Sequence, residues 1–442
     1  MRLPKSFEAS RRELRRELRF LDVFFMSLGG QAPFLSMLTY ATAVLLLATY
    51  FAPIVVMVGT FVVLLNGVVV YWLSKKHTET GGYFNYAFKV LSRRLGFETG
   101  WVYAFYSALY GAGYLAGSVF ILSYLLSTPL WLSLAVVFVP AALLLVMGIK
   151  PSTKYAIFAG SLEIGVLVAV VVSTLYISRF TLYNPFSSPP QPSSLLAGIL
   201  FAIGIPTGYG AITPVSGEVK DAAKSVGRVA VSVILIGGSL EAMVLYGLVN
   251  VAIHTGSLSV LLSSQVPVIF IMRKFAGALS FPLLLFAGIN DGILGSLSFM
   301  TALSRNLYAM SNRSLMPRAM GLVRTNGTPI VAAMVTIAAT AAVLIPPLFF
   351  LAPFQLFLAL GALAGLANLF VHISANISLV KSSMHQAGRR VPQLGLALAA
   401  AVISGFVLVY SLVLSPNVMA ALFVGYAALG LAVVMLTKSR GR

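Results

Sequence analysis

The feature that most constrains this chain is a series of long apolar runs without any charged residue. One of them, Ala52 to Leu73, is as long as a helix that crosses the hydrocarbon core of a bilayer, which needs about 20 residues. Transmembrane β-strands would instead alternate in hydropathy over segments of about ten residues. Only 9% of the 442 residues are charged, against roughly 25% in soluble domains. The runs therefore predict an all-α polytopic membrane protein and exclude a water-soluble enzyme.

Twelve candidate spans lie between charged residues and Pro or Gly. Numbered 1 to 12, they cover residues 22–46, 52–73, 98–126, 129–149, 152–178, 195–216, 227–254, 276–308, 328–346, 349–378, 393–414 and 417–437. Spans 1, 6 and 8 contain internal Gly, Pro or polar residues. We divide the chain into a basic N-terminal segment, 1–21, and a single transmembrane domain, 22–442.

The positive charges test this division independently. Lys and Arg number 30 against 11 Asp and Glu, a net charge of +19. If the N-terminus is cytoplasmic, 27 of the 30 cations fall on the cytoplasmic side, and only Arg179, Arg273 and Lys274 fall outside. Cytoplasmic loops of membrane proteins carry such an excess. The distribution predicts twelve spans in the cell membrane with both termini cytoplasmic, and it assigns the cations to topology and lipid rather than to nucleic acid.

The N-terminal segment contains a charged repeat, Arg11 to Arg19, with Glu13 and Glu17 four residues apart. This pattern predicts either a short amphipathic helix on the cytoplasmic surface or a solvated basic tail.

Spans 1 and 6 both carry helix-breaking sequences. Span 1 contains Gly29-Gly30-Gln31-Ala32-Pro33, and span 6 contains Gly204-Ile205-Pro206-Thr207-Gly208-Tyr209-Gly210. Interrupted helices at corresponding positions of two halves are typical of a transporter site between inverted repeats. A pair of ordinary proline kinks is the alternative.

Three groups of motifs occur in a characteristic order. They are Thr80-Gly81-Gly82-Tyr83 with Gly100-Trp101; Gly217-Glu218-Val219-Lys220-Asp221; and Ser304-Arg305-Asn306-Leu307-Tyr308-Ala309-Met310 with Leu315-Met316-Pro317 and Gly327-Thr328-Pro329. With these motifs the chain resembles the amino acid–polyamine–organocation (APC) superfamily of permeases over nearly its whole length. The resemblance implies a LeuT-type fold, with helices 1–5 (about 22–178) and 6–10 (about 195–378) as a 5+5 inverted repeat. Helices 11–12 (about 393–437) would be peripheral.

The chain departs from the family pattern at both breaks. Ala32-Pro33-Phe34-Leu35 stands where many relatives have a Gly-Ser-Gly-like turn, and Gly208-Tyr209-Gly210 replaces Gly-aromatic-Glu. Gly204 takes the place of a bulky aromatic residue. These departures preserve the expected fold but weaken any transfer of substrate identity.

The breaks predict a site for a zwitterionic amino acid. Backbone amides at Gly29, Gly30, Gln31 and Ala32 would receive the carboxylate, helped by the positive end of the half-helix, and carbonyls at Gly204, Ile205 and Thr207 would receive the ammonium. Gly208, Tyr209 and Tyr106 complete the predicted substrate site. For the tyrosines, including Tyr103 and Tyr110, helix packing is the alternative role.

Three acidic residues lie within spans, where ionisable groups are costly and are functional candidates by default: Glu163, Glu241 and Asp291. Glu163 falls where some proton-coupled relatives carry a lysine, beside the region that holds sodium in others. We predict Glu163, Asp291, Asn290 and Ser296 as candidates for coupling to H+ or Na+. Buried hydrogen-bonded carboxyls, or contact of Asp291 with a cationic substrate, are the alternatives. Glu241 receives little weight.

These features predict secondary active transport of amino acids by alternating access, either ion-coupled or exchanging. A cationic amino acid or polyamine permease, or a non-transporting sensor, is the alternative. We expect no enzymatic activity, because no nucleophile–base pair or metal cluster is visible, and no direct ATP drive, because there is no P-loop. We expect no cofactor and no metal site, because there is no cysteine and no metal-ligand spacing among the four histidines. The expected partners are a small-molecule substrate and lipid, with the chain as a monomer or homodimer. Arg305, Glu218 and Asp221 could form a cytoplasmic gate, or be solvated helix ends.

Overall fold

A computed structural model describes residues 13–264, 266–384 and 391–439. These residues form seventeen α-helices and no β-strand beyond two isolated bridges. The helices are α1 (Phe20–Gly29), α2 (Pro33–Leu38), α3 (Tyr40–Ala48), α4 (Ala52–Ser74), α5 (Tyr83–Val90), α6 (Arg93–Leu126), α7 (Leu130–Met147), α8 (Ile149–Ile177), α9 (Pro192–Gly204), α10 (Ala222–His254), α11 (Leu258–Ser263), α12 (Pro267–Ala276), α13 (Ser280–Asn312), α14 (Ile330–Leu344), α15 (Pro353–Met384), α16 (Val391–Leu414) and α17 (Asn417–Ser439).

Eleven helical stretches in the described ranges are long and apolar enough to cross a membrane, and they fall in predicted spans 1–5 and 7–12. Span 6 is not among them. Its helix, α9, ends at Gly204 after 13 residues, and the chain continues in two 3-10 turns, Thr207–Ala211 and Thr213–Glu218. A helix of that length rises only about 20 Å, short of the ~30 Å hydrocarbon core.

Span 1 is interrupted twice. The first break separates α1 from α2, where Ala32 has a left-handed backbone (φ 45°) and Pro33 begins the next helix. A non-glycine residue with this backbone conformation is strained, and such residues cluster at functional sites. The second break, at Thr39 (φ −123°, ψ −77°), separates α2 from α3 and was not predicted. The six-residue α2 therefore lies between two breaks.

The breaks of spans 1 and 6 lie against each other. Gly208 packs on the backbone of Gly30 and Gln31, so closely that a Cβ atom at position 208 would clash with both. Only glycine permits this approach of two main chains. The close contact between the two breaks therefore requires glycine at position 208.

Burial distinguishes central from peripheral helices. In the most hydrophobic 18-residue stretch of each span, 83% of the residues are buried over α1 and α2, and 78% are buried in α13. The corresponding shares are only 22% in α16 and 11% in α17. Most of the exposed surface of the last two helices is apolar, as lipid contact requires. The broken helix of span 1 and the break of span 6, residues 205–214, are therefore inside the protein.

Residues 13–19 form no helix, so the amphipathic helix predicted here is wrong for this part; Arg11 and Arg12 lie outside the described residues. The backbone of Leu18 instead pairs with Val219, in a short bridge. The Glu17 and Leu18 amides donate to the Glu218 carbonyl, and the Lys220 amide donates to the Leu18 carbonyl. This backbone pairing is favoured over a helix because it satisfies N–H and C=O groups that both segments would otherwise leave without a hydrogen bond. We refer to the side of the protein that carries this bridge as the N-terminal face.

Candidate functional site

The amides of the span 1 break are already hydrogen-bonded within the chain. Three of the predicted carboxylate-binding positions donate to carbonyl oxygens of the preceding turn. These pairs are Gly30 to Met26, Gln31 to Leu28 and Ala32 to Gly29, at 2.9–3.0 Å. Pro33 has no N–H to offer. A substrate carboxylate would find no free donor among these residues in this conformation.

The next two amides hold the intramembrane acids. The Phe34 N–H donates to Glu163 Oε1 at 2.9 Å, and the Leu35 N–H donates to Asp291 Oδ2 at 2.7 Å. Glu163 comes from α8 and Asp291 from α13, and both side chains are buried. Because the two amides are consecutive, the two carboxyl groups are neighbours. Together they cap the positive end of α2.

Polar neighbours extend this acid pair. Asn290 Nδ2 donates to Asp291 Oδ1 at 3.3 Å, and Asn290 Oδ1 accepts from the Tyr155 hydroxyl at 2.9 Å. The structure therefore brings together three of the four predicted coupling residues. The fourth, Ser296, faces Gly111 of α6 instead and is fully buried. In the described part of the chain no three acidic or histidine side chains converge closely enough to hold a metal ion.

Hydroxyl groups satisfy several carbonyls at the breaks. Tyr114 Oη donates to the Gly30 carbonyl at 2.9 Å, and Tyr103 Oη donates to the Gly210 carbonyl at 2.9 Å. Thr207 Oγ1 donates to the Gly204 carbonyl at 2.9 Å. Two tyrosines of α6 thus hold the two breaks, a role that the sequence analysis missed. Their common helix face with Tyr106 and Tyr110 was the available signal.

The remaining predicted aromatic residues belong to a buried cluster. Tyr209 Oη lies 2.8 Å from His372 Nε2 of α15, and their rings stack at 5.2 Å. Tyr106 packs against Phe299 and the neighbouring tyrosines, and its buried hydroxyl has no hydrogen-bond partner among the described residues. His372 is one of four scattered histidines, and its position in the sequence gives no signal of this contact.

Three further residues named from the sequence are buried, and the side chain of one of them has a partner. The Gln31 side chain points to α10, where its Nε2 donates to the Val233 carbonyl at 3.1 Å. Ile205 is fully buried. Glu241 is also buried, and neither of its carboxyl oxygens has a partner within the described ranges.

Arg305 and Glu218 meet beneath the N-terminal bridge. Arg305 Nε lies 2.8 Å from Glu218 Oε1, and Nη2 lies 3.3 Å from Oε2, so the pairing is bidentate. The two side chains are 1% and 2% exposed, which excludes solvated helix ends for these two residues. Asp221 is not part of this pair.

One buried acid was missed. Glu98 of α6 is 3% exposed, and both of its carboxyl oxygens lack partners in the described part of the chain. It packs against Gly430 of α17, away from the breaks. Glu98 is the first residue of predicted span 3, where an acidic side chain does not stand out as an intramembrane charge.

Comparison with known proteins agrees with this architecture. The chain matches the family model for amino acid permeases over residues 22–434. None of the curated proteins matches it in sequence.

Proposed function

The chain belongs to the amino acid permease family, and from this we propose that it carries amino acids by alternating access and couples their movement to protons through Glu163 and Asp291. Family membership and the membrane-spanning helices support amino acid transport in general. The coupling rests on one observation, the hydrogen bonds from the Phe34 and Leu35 amides to these two acids.

The position of α2 depends on this contact. A six-residue helix is too short to be stable alone, so its orientation is set by what holds its ends. Ionised carboxylates bind a helix N-terminus more strongly than neutral carboxyls do. The protonation state of the pair therefore controls how firmly α2 is fixed to α8 and α13.

Two neighbouring carboxylates in an apolar interior repel each other, so one shared proton stabilises the pair. A substrate carboxylate that binds at this break has to compete for the same two N–H groups. The displaced acid then loses its donor in a desolvated environment and takes up a proton. Substrate binding and proton binding are linked in this mechanism.

The first prediction concerns Glu163→Gln in proteoliposomes. Glutamine keeps an oxygen for the Phe34 amide but cannot bind and release a proton. We expect the wild-type protein to accumulate labelled leucine and alanine when the pH gradient is imposed, whereas the variant loses accumulation and retains exchange of labelled for unlabelled substrate.

The matched control is Glu98→Gln, which removes a buried acid remote from the breaks and should leave the pH-driven accumulation unchanged. Accumulation by Glu163→Gln at the wild-type level, or drive by a sodium gradient alone, would contradict proton coupling. The same assay with lysine, glutamate and putrescine separates a neutral amino acid carrier from a carrier of cations. Substrate binding without flux would indicate a sensor.

A further inference from the structure

A cavity of about 440 Å³ lies beside the span 6 break and is not explained by the proton pair. It is half open and is bordered by α9, α15 and α16, and it extends from Gly204 and Tyr110 to the turn at Ser415 and Pro416 between α16 and α17. Its volume is within the range of small-molecule sites, about 300–1,000 Å³. The cavity therefore extends from the span 6 break to the end of α16 where the chain turns into α17.

The lining of this cavity carries no charged side chain. It consists mainly of aliphatic and aromatic groups, such as Leu200, Phe201 and Leu369. A charged ligand group would lose its hydration here without any compensating partner. The lining favours an apolar ligand group and disfavours the side chains of lysine, arginine, aspartate and glutamate.

Small residues of α15 create the space. Gly361 and Gly365 lie one turn apart on the cavity face, and an added Cβ at Gly365 would have no atom within 4 Å. Gly204 makes room on the opposite side, since a Cβ there would come within 3.3 Å of the Tyr40 ring. These glycines keep open a volume that ordinary helix packing would fill.

An amide side chain faces this apolar space. Asn368 is 4% exposed and lines the cavity. Its polar atoms are not among the buried ones that lack a partner, so they are accessible from the cavity, where an amide can donate to and accept from a ligand. One turn further along α15 is His372, which contacts Tyr209 at the break. Asn368 thus lies on the cavity wall, one helical turn from the residue that contacts the span 6 break.

We propose that this cavity holds the side chain of the transported amino acid, that Asn368 hydrogen-bonds to the polar part of the same substrate, and that the preferred substrates are neutral amino acids with large apolar side chains. The inference rests on the proposed transport function and names its substrate class. It accounts for the open space, the uncharged lining and the amide on the cavity wall together.

The second prediction tests the cavity with Gly365→Leu, which fills open space without a backbone clash. Uptake of labelled leucine, phenylalanine, alanine, lysine and glutamate is measured in proteoliposomes. The wild-type protein should prefer leucine and phenylalanine to alanine and reject the charged amino acids. Gly365→Leu should lower leucine and phenylalanine uptake about ten-fold more than alanine uptake, the discrimination expected from a change of pocket size.

Gly405→Leu is the matched control, because Gly405 of α16 also has no atom within 4 Å of an added Cβ but does not line the cavity. It should keep the wild-type ratio of leucine to alanine uptake. Asn368→Leu should raise the KM for every transported amino acid.

Two uptake results would overturn the inference: an unchanged leucine-to-alanine ratio in Gly365→Leu, or transport of lysine or glutamate at the leucine rate. A third result that would overturn it is found by native mass spectrometry: Gly365→Leu loses a lipid that co-purifies with the wild-type protein, while its substrate selectivity is unchanged. The last result would assign the cavity to an acyl chain. Proton coupling is tested separately, because Glu163→Gln alters the response to a pH gradient and Gly365→Leu alters the ratio between substrates.

Discussion

Arg305 and Glu218 form an ion pair that is withdrawn from solvent, whereas Lys150 and Glu17, 3.1 Å apart on the same N-terminal face, are 63% and 28% exposed. These environments have different energetic consequences. Removing one partner of a buried pair leaves an uncompensated charge in a low dielectric, while an exposed pair is screened by water and salt.

The third prediction follows from this contrast. Arg305→Ala should lower the free energy of unfolding by about 3–5 kcal/mol, because Glu218 is left buried and unpaired. Lys150→Ala should lower it by less than about 1 kcal/mol. Thermal unfolding of the detergent-purified variants measures both effects. Equal unfolding temperatures for the two variants would contradict the structural difference between the pairs.

The hydrogen-bond partners of the intramembrane acids could not be predicted from the sequence. Glu163 and Asp291 were identified as candidates from their cost within apolar spans. Their partners, Phe34 and Leu35, are 129 and 256 positions away along the chain, and a backbone amide has no side-chain signature. The pairing therefore depends on how three separate helices pack.

Among the elements, the helix breaks followed from local chemistry. Pro33 and Pro206 each lack the N–H of a helix hydrogen bond, and the glycines at 29–30 and 204–210 weaken a helix through their conformational freedom. The break at Thr39 has no such residue, so the local sequence gives no signal of it. Similarly, residues 13–19 have a helical charge pattern but are held extended by Glu218 and Val219.

The fourth prediction concerns this N-terminal segment. Leu18 is 1% exposed, so Leu18→Asp places a charge in the core and should detach the segment from Val219. The side chains of Arg15, Arg16 and Arg19 are already exposed, so release of the paired backbone would let trypsin bind the segment, with cleavage roughly ten-fold faster than in the wild type.

Leu18→Met keeps the side chain apolar and is the control; it should resist trypsin as the wild type does. Mass spectrometry of the N-terminal fragments measures the rates. If Leu18→Asp were cleaved at the wild-type rate, the bridge would not be what protects this segment.

For the whole molecule, the division of cations between the two sides predicts the orientation. Because the chain contains no cysteine, single-cysteine variants report on exposure without background labelling. Ser187 follows span 5 and Thr325 follows span 8, and both are exposed.

The fifth prediction is that a membrane-impermeant maleimide labels Ser187→Cys in intact cells and labels Thr325→Cys only after permeabilisation. The excess of Lys and Arg around Thr325 is the physical reason, since cationic loops are retained in the cytoplasm. The opposite labelling pattern would invert the proposed orientation.

The sequence by itself determined that this protein is an all-helical membrane permease, and it located the two breaks and the acidic residues with functional promise. These properties depend on hydropathy over about 20 residues and on Gly and Pro, which act locally. Only the tertiary structure decided that Glu163 and Asp291 cap α2, that Tyr103 and Tyr114 hold the carbonyls at the breaks, and that Asn368 faces an open cavity. Those contacts join residues from distant helices, whose mutual positions are set by the packing of the whole bundle.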